Sequence, residues 1–301
     1  MTLLIYSNTF LTPFQFDDES NIIDNAEIRS LGNFLDFSGT RFVCFLTFAL
    51  NYRFGGLNVF GYHLVNLLIH ITNGFLVYSL ILLLIRAVQG PPTPPASQSA
   101  SAPFIALATA LLFIAHPIQT QAVTYIVQRL ASLVTLFYLL AVVGYLKWRL
   151  SPSEAGTRSL WYAVSLVSCV LAMKTKENSF TLPLMILLME RVFFKPLRWK
   201  AILPFFLLAA PIIPLSHQNA LGEAEGFARD TTEIGRSDYL FTQFRVIVTY
   251  LRLLVLPINQ RLDYDYPIYH SFFQPAVFIP FLFLLGLFVF AIRHIGRIGP
   301  I

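Results

Sequence analysis

The sequence predicts an all-α, polytopic transmembrane bundle, and three observations predict it. Of the 301 residues, 56% are hydrophobic and 12% charged, where soluble domains carry about a quarter charged. The mean hydropathy is +0.64, more apolar surface than one soluble interior of this size can hide. The apolar runs are continuous, which suits helices and not the alternating strands of a β-barrel.

In chain order, the first ten residues cover only about half of a ~30 Å hydrocarbon core at ~1.5 Å per residue. They lack the basic flank of a signal peptide and read as the end of a first membrane helix whose start is missing. Residues 8–57 read as a first outer loop. Within it RFVCFLTFALNY (41–52) is too short to span and reads as an amphipathic surface helix. Full or near-full spans are predicted at 60–86, 103–117, 129–147, 159–173, 178–190, 201–215 and 276–292. Several fall short of the ~20 residues of a perpendicular crossing, so they end below the interface or continue with polar residues into a cavity. The Pro/Ser-rich stretch 90–103 reads as a cytoplasmic linker. Residues 216–275 read as a second outer loop. Its segment 239–257 re-enters or lies on the surface, because Arg245 and Arg252 are costly at bilayer depth. The whole chain, 1–301, reads as one transmembrane domain.

Charge placement gives the orientation. Lys147, Arg149 and Arg158 occupy one connection, and Arg191, Lys195, Arg198 and Lys200 another; Arg293 and Arg297 follow the last span. These mark the cytoplasmic side. Six acids fall in 8–57 and five in 216–243, so the acidic loops face outward. The net charge of +5 is therefore a topology signal and not a nucleic-acid footprint. Cys44 and Cys169 sit in apolar segments, with no disulfide framework or metal spacing.

Polar residues converge on the outer face. Asp17 and Asp18 follow the first apolar segment. His63, Asn66 and His70 share a helical stripe, with interhelical hydrogen bonding the plainer reading. His116 ends a span, and the loop after it contains Gln121 and leads to Arg129. Lys174, Lys176 and Glu177 lie between two spans. Outward lysines run against the positive-inside bias, and a lipid phosphate resting at the interface offsets them. Arg129, Arg245 and Arg252 could add charge-assisted bonds to it. If that phosphate carries a sugar, an Asp can take the proton of an attacking hydroxyl while the cations stabilise the leaving phosphate.

Five segments occur in order: FDDESNIIDNAEI, RFVCFLTFALNYRFGGLNVFGYHLVNLLIH, AHPIQTQAVTYIVQRLASL, KTKENSFTLPLMILLME and TQFRVIVTYLRLLVLPINQRLDYDYP. Together they resemble the bacterial relatives of the transmembrane O-mannosyltransferases that target cadherins. These are tetratricopeptide-repeat membrane proteins of the C-type glycosyltransferase superfamily. The resemblance covers Tyr6 to about Pro275. It implies catalytic loops facing the periplasm from a bacterial inner membrane and a polyprenyl-phosphate-linked sugar as donor. It also implies transfer to a Ser or Thr hydroxyl of a periplasmic or secreted protein, with inversion. It gives the base role to Asp17 first, with Asp18 as orienter or substitute. Lys174, Lys176, Arg129, Arg245 and Arg252 are the expected donor-phosphate ligands, and His63, His116, Gln121 and Glu177 the supporting polar groups. No cofactor is assigned; Asp17 and Asp18 could hold a divalent cation, although two acids in one loop are not a complete site. The family continues into tetratricopeptide repeats, and no 34-residue repeat is read in this chain. Two rivals remain: a catalytically degenerate membrane scaffold of the same fold, and a flippase or transporter. Few ionisable groups in the spans and no repeat symmetry weigh against the last.

Overall fold

A computed structural model describes residues 1–37, 39, 41–89, 101–152, 156–211, 235–262 and 264–295. Most of the expected 90–103 linker, the 216–234 part of the second outer loop, Asp263 and Arg297 lie outside the described residues. The protein is all-α: no strand occurs among the described residues. They fall into two compact units, Met1–Leu215 and Ser216–Gly299.

The first unit opens with a short helix α1 (Thr2–Ile5) and a run of tight turns to Phe34. Helix α2 (Phe42–Gly55) follows. Its apolar side chains lie on both its buried side (Phe42, Cys44, Phe48) and its exposed side (Leu50, Phe54), which suits an element at a bilayer boundary. Gly56 ends it with φ +57, a left-handed conformation that glycine adopts without a Cβ clash. Helix α3 (Val59–Gln89) and helix α6 (Arg129–Leu150) are the long members. Between them α4 (Ser101–Ala115) breaks at His116-Pro117 before the single turn α5 (Thr120–Thr124). Proline has no amide to continue the ladder, and the pair bends by 52° there. Helices α7 (Arg158–Met173), α8 (Leu182–Phe193) and α9 (Trp199–Ala209) complete the unit. The second unit contains α10 (Arg236–Val255) and α11 (Pro275–Ile295), which pack on each other.

Among the described residues three helices are long and apolar enough to cross a membrane, in α3, α6 and α11, and a fourth if the bent α4–α5 pair is one span. This is a multi-pass membrane protein. Helices α7, α8 and α9, with 16, 12 and 11 residues, reach only about 24, 18 and 17 Å at 1.5 Å per residue. Helices occur where the sequence predicts spans at 159–173, 178–190 and 201–215, but none of the three is long enough by itself to cross a membrane.

Packing is densest between α6 and α7, where small residues let two backbones approach. A Cβ on Gly144 would lie 3.0 Å from the Trp161 carbonyl oxygen and 3.2 Å from the Ser165 nitrogen. The Ser165 hydroxyl donates to Ala141 O at 2.6 Å. One apolar cluster, around Tyr145, Leu146, Ile186 and Phe205, fills the end of the unit where α6 finishes. A second, around Ile22, Ile28, Phe42, Phe48, Tyr62 and Ile126, ties the first loop and α2 to the start of α6.

Because the atoms facing Gly144 are backbone, a larger residue must push the helices apart. Gly144→Val is expected to destabilise the protein by about 1–3 kcal/mol. Gly286→Val, where a Cβ meets nothing within 4 Å, is expected to change stability by no more than about 0.5 kcal/mol. Thermal melting of both variants in detergent checks this.

Candidate active site

The site is built where the first loop meets the start of α6. Phe16 holds φ +47, a conformation that costs a bulky side chain energy and that recurs at functional positions. It delivers Asp17 to the surface. The Asp17 amide donates to the Tyr125 hydroxyl at 3.1 Å. Its carbonyl accepts from the Asn21 amide at 3.0 Å and the Asn21 side chain at 2.8 Å. The backbone of Asp17 is thus fixed on both sides while its carboxylate stays exposed.

Asp18 does the opposite. It is 1% exposed, and its two carboxylate oxygens accept from Val127 N–H at 2.7 Å and Gln15 N–H at 3.0 Å. Burial holds its pKa above the ordinary carboxylate value, and the amides of Gln15, Val127 and Ile126 and the nearby His63 offset only part of that rise. Tyr125 stands between the two acids. Burial first, and then the charges of Asp17 and Asp18, push its phenol above the ordinary value, so the hydroxyl keeps its proton beside them.

Behind this edge lies Arg129, fully buried. Its Nε donates to Asn66 Oδ1 at 2.7 Å, one terminal nitrogen to Asn51 Oδ1 at 2.7 Å and Thr47 Oγ1 at 3.2 Å, and the other to Tyr62 O at 2.9 Å. Its guanidinium carbon also lies 4.6 Å from the Phe48 ring centroid. Expected as a donor-phosphate ligand, Arg129 is instead committed to α2 and α3 through four of its N–H groups, which leaves little of the fork for a substrate.

The α3 stripe has a related task. His63 Nε2 meets Thr12 O at 2.9 Å, Asn66 Nδ2 donates to Ile126 O at 3.2 Å, His70 Nε2 meets Ile114 O at 3.1 Å and Asn73 Nδ2 donates to Ser132 O at 2.9 Å. Four polar side chains one or two turns apart each hold a carbonyl of a different segment. The carbonyl nearest the acids belongs to Ile126, beside the amide that Asp18 grips.

The remaining expected residues divide. Lys174 donates to Phe37 O at 3.1 Å and Gly39 O at 3.3 Å, and its own carbonyl accepts from Val43 N–H at 2.9 Å; it fastens the loop before α2. Glu177 pairs with Arg41 at 3.3 Å. Lys176 is half-buried; its backbone pairs with Ala172 and Ser179, while its ammonium makes no hydrogen bond or ion pair among the described residues. His116 caps the turn after it, its Nδ1 accepting from Ile118 N–H at 3.2 Å, and Gln121 is exposed. In the second unit Arg245 donates to the Tyr269 hydroxyl, and Arg252 to Ile258 O at 3.2 Å. Among the described residues no three His, Cys, Asp or Glu side chains are grouped to hold a metal ion. Sequence reasoning did not single out Tyr125, Asn51 or Thr47. Only their polar character amid apolar neighbours could have marked them.

The chain is similar to protein O-mannosyl-transferases. It is 30% identical to TMTC4 of Mus musculus over 201 residues, 60% of this chain and 27% of that protein. It is 34% identical to Tmtc3 of Drosophila melanogaster over 207 residues, 60% of this chain and 22% of that protein. With TMTC2 of Homo sapiens it shares 30% identity over 220 residues, 67% of this chain and 24% of that protein. The resemblance read from the five segments is thus to the same proteins, the transmembrane protein O-mannosyl-transferases. The chain spans about a quarter of the length of these relatives. No family model and no solved structure matches it.

An ammonium carries no planar fork and cannot reach Asn66, Asn51, Thr47 and Tyr62 O together. Arg129→Lys is therefore expected to cost about 3 kcal/mol or more, since several buried acceptors lose a charged donor. Lys176→Met is expected to cost less than about 1 kcal/mol. Melting and monodispersity in detergent compare the two.

Proposed function

We propose that this chain is the membrane part of a glycosyltransferase that moves a sugar from a polyprenyl-phosphate donor to a protein Ser or Thr hydroxyl. The reading places the transfer at the periplasmic face of a bacterial inner membrane. The observation that carries it is the division of labour between neighbouring acids: Asp18 is buried and bolted to backbone amides, while Asp17 is held in place with its carboxylate exposed. A base needs a fixed position and a free lone pair, and Asp17 has both.

In the proposed step the acceptor hydroxyl gives its proton to Asp17 as its oxygen bonds to the anomeric carbon. The bond from that carbon to the phosphate oxygen breaks, and its electron pair leaves with the polyprenyl phosphate. Attack from the face opposite the phosphate inverts the centre. Lys176 offsets the charge of the departing phosphate. The similarity to proteins named O-mannosyl-transferases supports this class of reaction.

A second reading, a silent scaffold of the same fold, draws on Arg129 and Lys174, expected phosphate ligands that are spent on internal acceptors. One pair of variants separates the readings. Asp17→Asn is expected to lower transfer from a synthetic polyprenyl-phosphate sugar by about 10²–10⁴-fold, the usual weight of a general base, with the melting temperature unchanged. Asp18→Asn turns an NH₂ group toward an amide that needs an acceptor, and is expected to lower the melting temperature as well. Undiminished transfer by Asp17→Asn would refute the base assignment, and no transfer by the wild type would leave only the scaffold standing.

A further inference from the structure

The opposite end of the first unit treats its cations differently. A cavity of about 520 Å³ opens there, lined by Trp148, Leu197, Arg198, Trp199, Lys200 and Ala201. Trp148 packs at a tilt against Tyr145 and Tyr162, with ring centroids 5.3 and 4.9 Å away, and the Tyr162 hydroxyl donates to Ala201 O at 2.9 Å.

Two guanidinium groups meet on this one indole: Arg158 Cζ lies 5.5 Å and Arg198 Cζ 5.6 Å from the Trp148 ring. Lys200 adds a third cation to the lining. Glu190, a buried acid at this end, is already used: it accepts from the Tyr145 hydroxyl at 2.6 Å and from Arg149 Nε at 3.0 Å. Among the described residues no carboxylate pairs with Arg158, Arg198 or Lys200. The Nε of Arg158 is buried and has no hydrogen-bond partner, a state that native structures normally explain by a water or an ion. Helices α7 and α9 both begin here without a side-chain cap, so free amides and the positive ends of two helix dipoles add to the same field. Arg158 and Arg198 are themselves at those helix starts, where a cation is disfavoured unless an anion accompanies it.

We propose that this cavity is a binding site for a phosphate ester, with Arg198 and Lys200 of its lining as cationic ligands, Arg158 joining them from the start of α7 across the shared Trp148 ring, and Trp148 as the platform for both guanidinium groups. A planar fork on an aromatic face is the arrangement that selects phosphate over a halide or a zwitterion's buried charge. The site lies at the far end of α6 from Asp17 and is independent of the transfer reaction. It takes the headgroup of an anionic phospholipid, or the same ester presented in solution.

The test uses the full chain in nanodiscs of mixed phosphatidylglycerol and phosphatidylcholine, with retained lipids counted by native mass spectrometry on release into detergent. The wild type is expected to retain phosphatidylglycerol in preference. Arg158→Gln with Arg198→Gln, and separately Lys200→Gln, are expected to reduce that retention at least fivefold. Arg191→Gln, an exposed cation of the same connection outside the cavity, is expected to leave it unchanged. Displacement of the lipid by millimolar glycerol 3-phosphate would show that the ester alone is read. Failure to displace, with the variants still defective, would show that the acyl chains contribute and the source is the bilayer. Equal retention of the two lipids by the wild type, or an equal loss in Arg191→Gln, would overturn the site.

Discussion

The first unit depends on one buried charge. Moving a guanidinium out of water costs several kcal/mol even after relaxation, and Arg129 is fully buried with no carboxylate at ion-pair distance among the described residues. That cost is offset only when neutral acceptors surround the fork. Asn51 and Thr47 come from α2, Asn66 and the Tyr62 carbonyl from α3, and Arg129 itself begins α6. No one of these helices can slide or rotate without stranding a donor. The aromatic faces of Phe48 and Tyr62 close the remaining sides, so the register of three helices is fixed at a single point.

The acidic edge inherits that rigidity. Asn66 binds Arg129 through its oxygen and Ile126 O through its amide, which sets the peptide before Val127. Val127 in turn offers its N–H to Asp18, 109 residues earlier in the chain. A loop of tight turns, which alone would have many conformations, is thereby held to a helix start. The strained φ of Phe16 can persist because both sides of it are fastened. The exposed carboxylate of Asp17 is the free end of a chain of contacts that starts at a buried arginine.

How much of this was readable follows from the distance over which each signal acts. The spans were readable because length and apolar continuity are local: the expected 60–86, 129–147 and 276–292 fall inside α3, α6 and α11. The helical stripe of His63, Asn66 and His70 was readable as interhelical hydrogen bonding for the same reason, and each does hold a carbonyl of another segment. What Arg129 and Lys174 do was not readable. A basic residue at a membrane boundary looks alike in sequence whether it faces a phosphate or a peptide carbonyl. Only the fold brings Phe37 O and Gly39 O to Lys174, more than 130 positions away. The difference between Asp17 and Asp18 was hidden as well, since adjacent residues share composition and differ only in which way the turn at Phe16 points them.

The two ends of the first unit solve the same electrostatic problem in opposite ways. At the acidic edge the cations find internal acceptors: Arg129 its amides and hydroxyl, Lys174 two carbonyls, Arg41 the carboxylate of Glu177. Repulsion there is quenched inside the protein, and the half-buried Lys176 keeps its ammonium without such a partner among the described residues. At the far end, among the described residues, only Arg149 receives a carboxylate. Arg158 and Arg198 are instead stacked on Trp148, which orients a charge without neutralising it. Cation–π contact leaves the in-plane N–H groups pointing away from the ring, so an oriented fork with no acceptor is an incomplete interaction. A helix bundle in a membrane has a ready source of acceptors at its ends, in the phosphate layer of the bilayer. That asymmetry gives each end its chemistry: a negative group presented to solvent at one, and a positive pocket open to phosphate at the other.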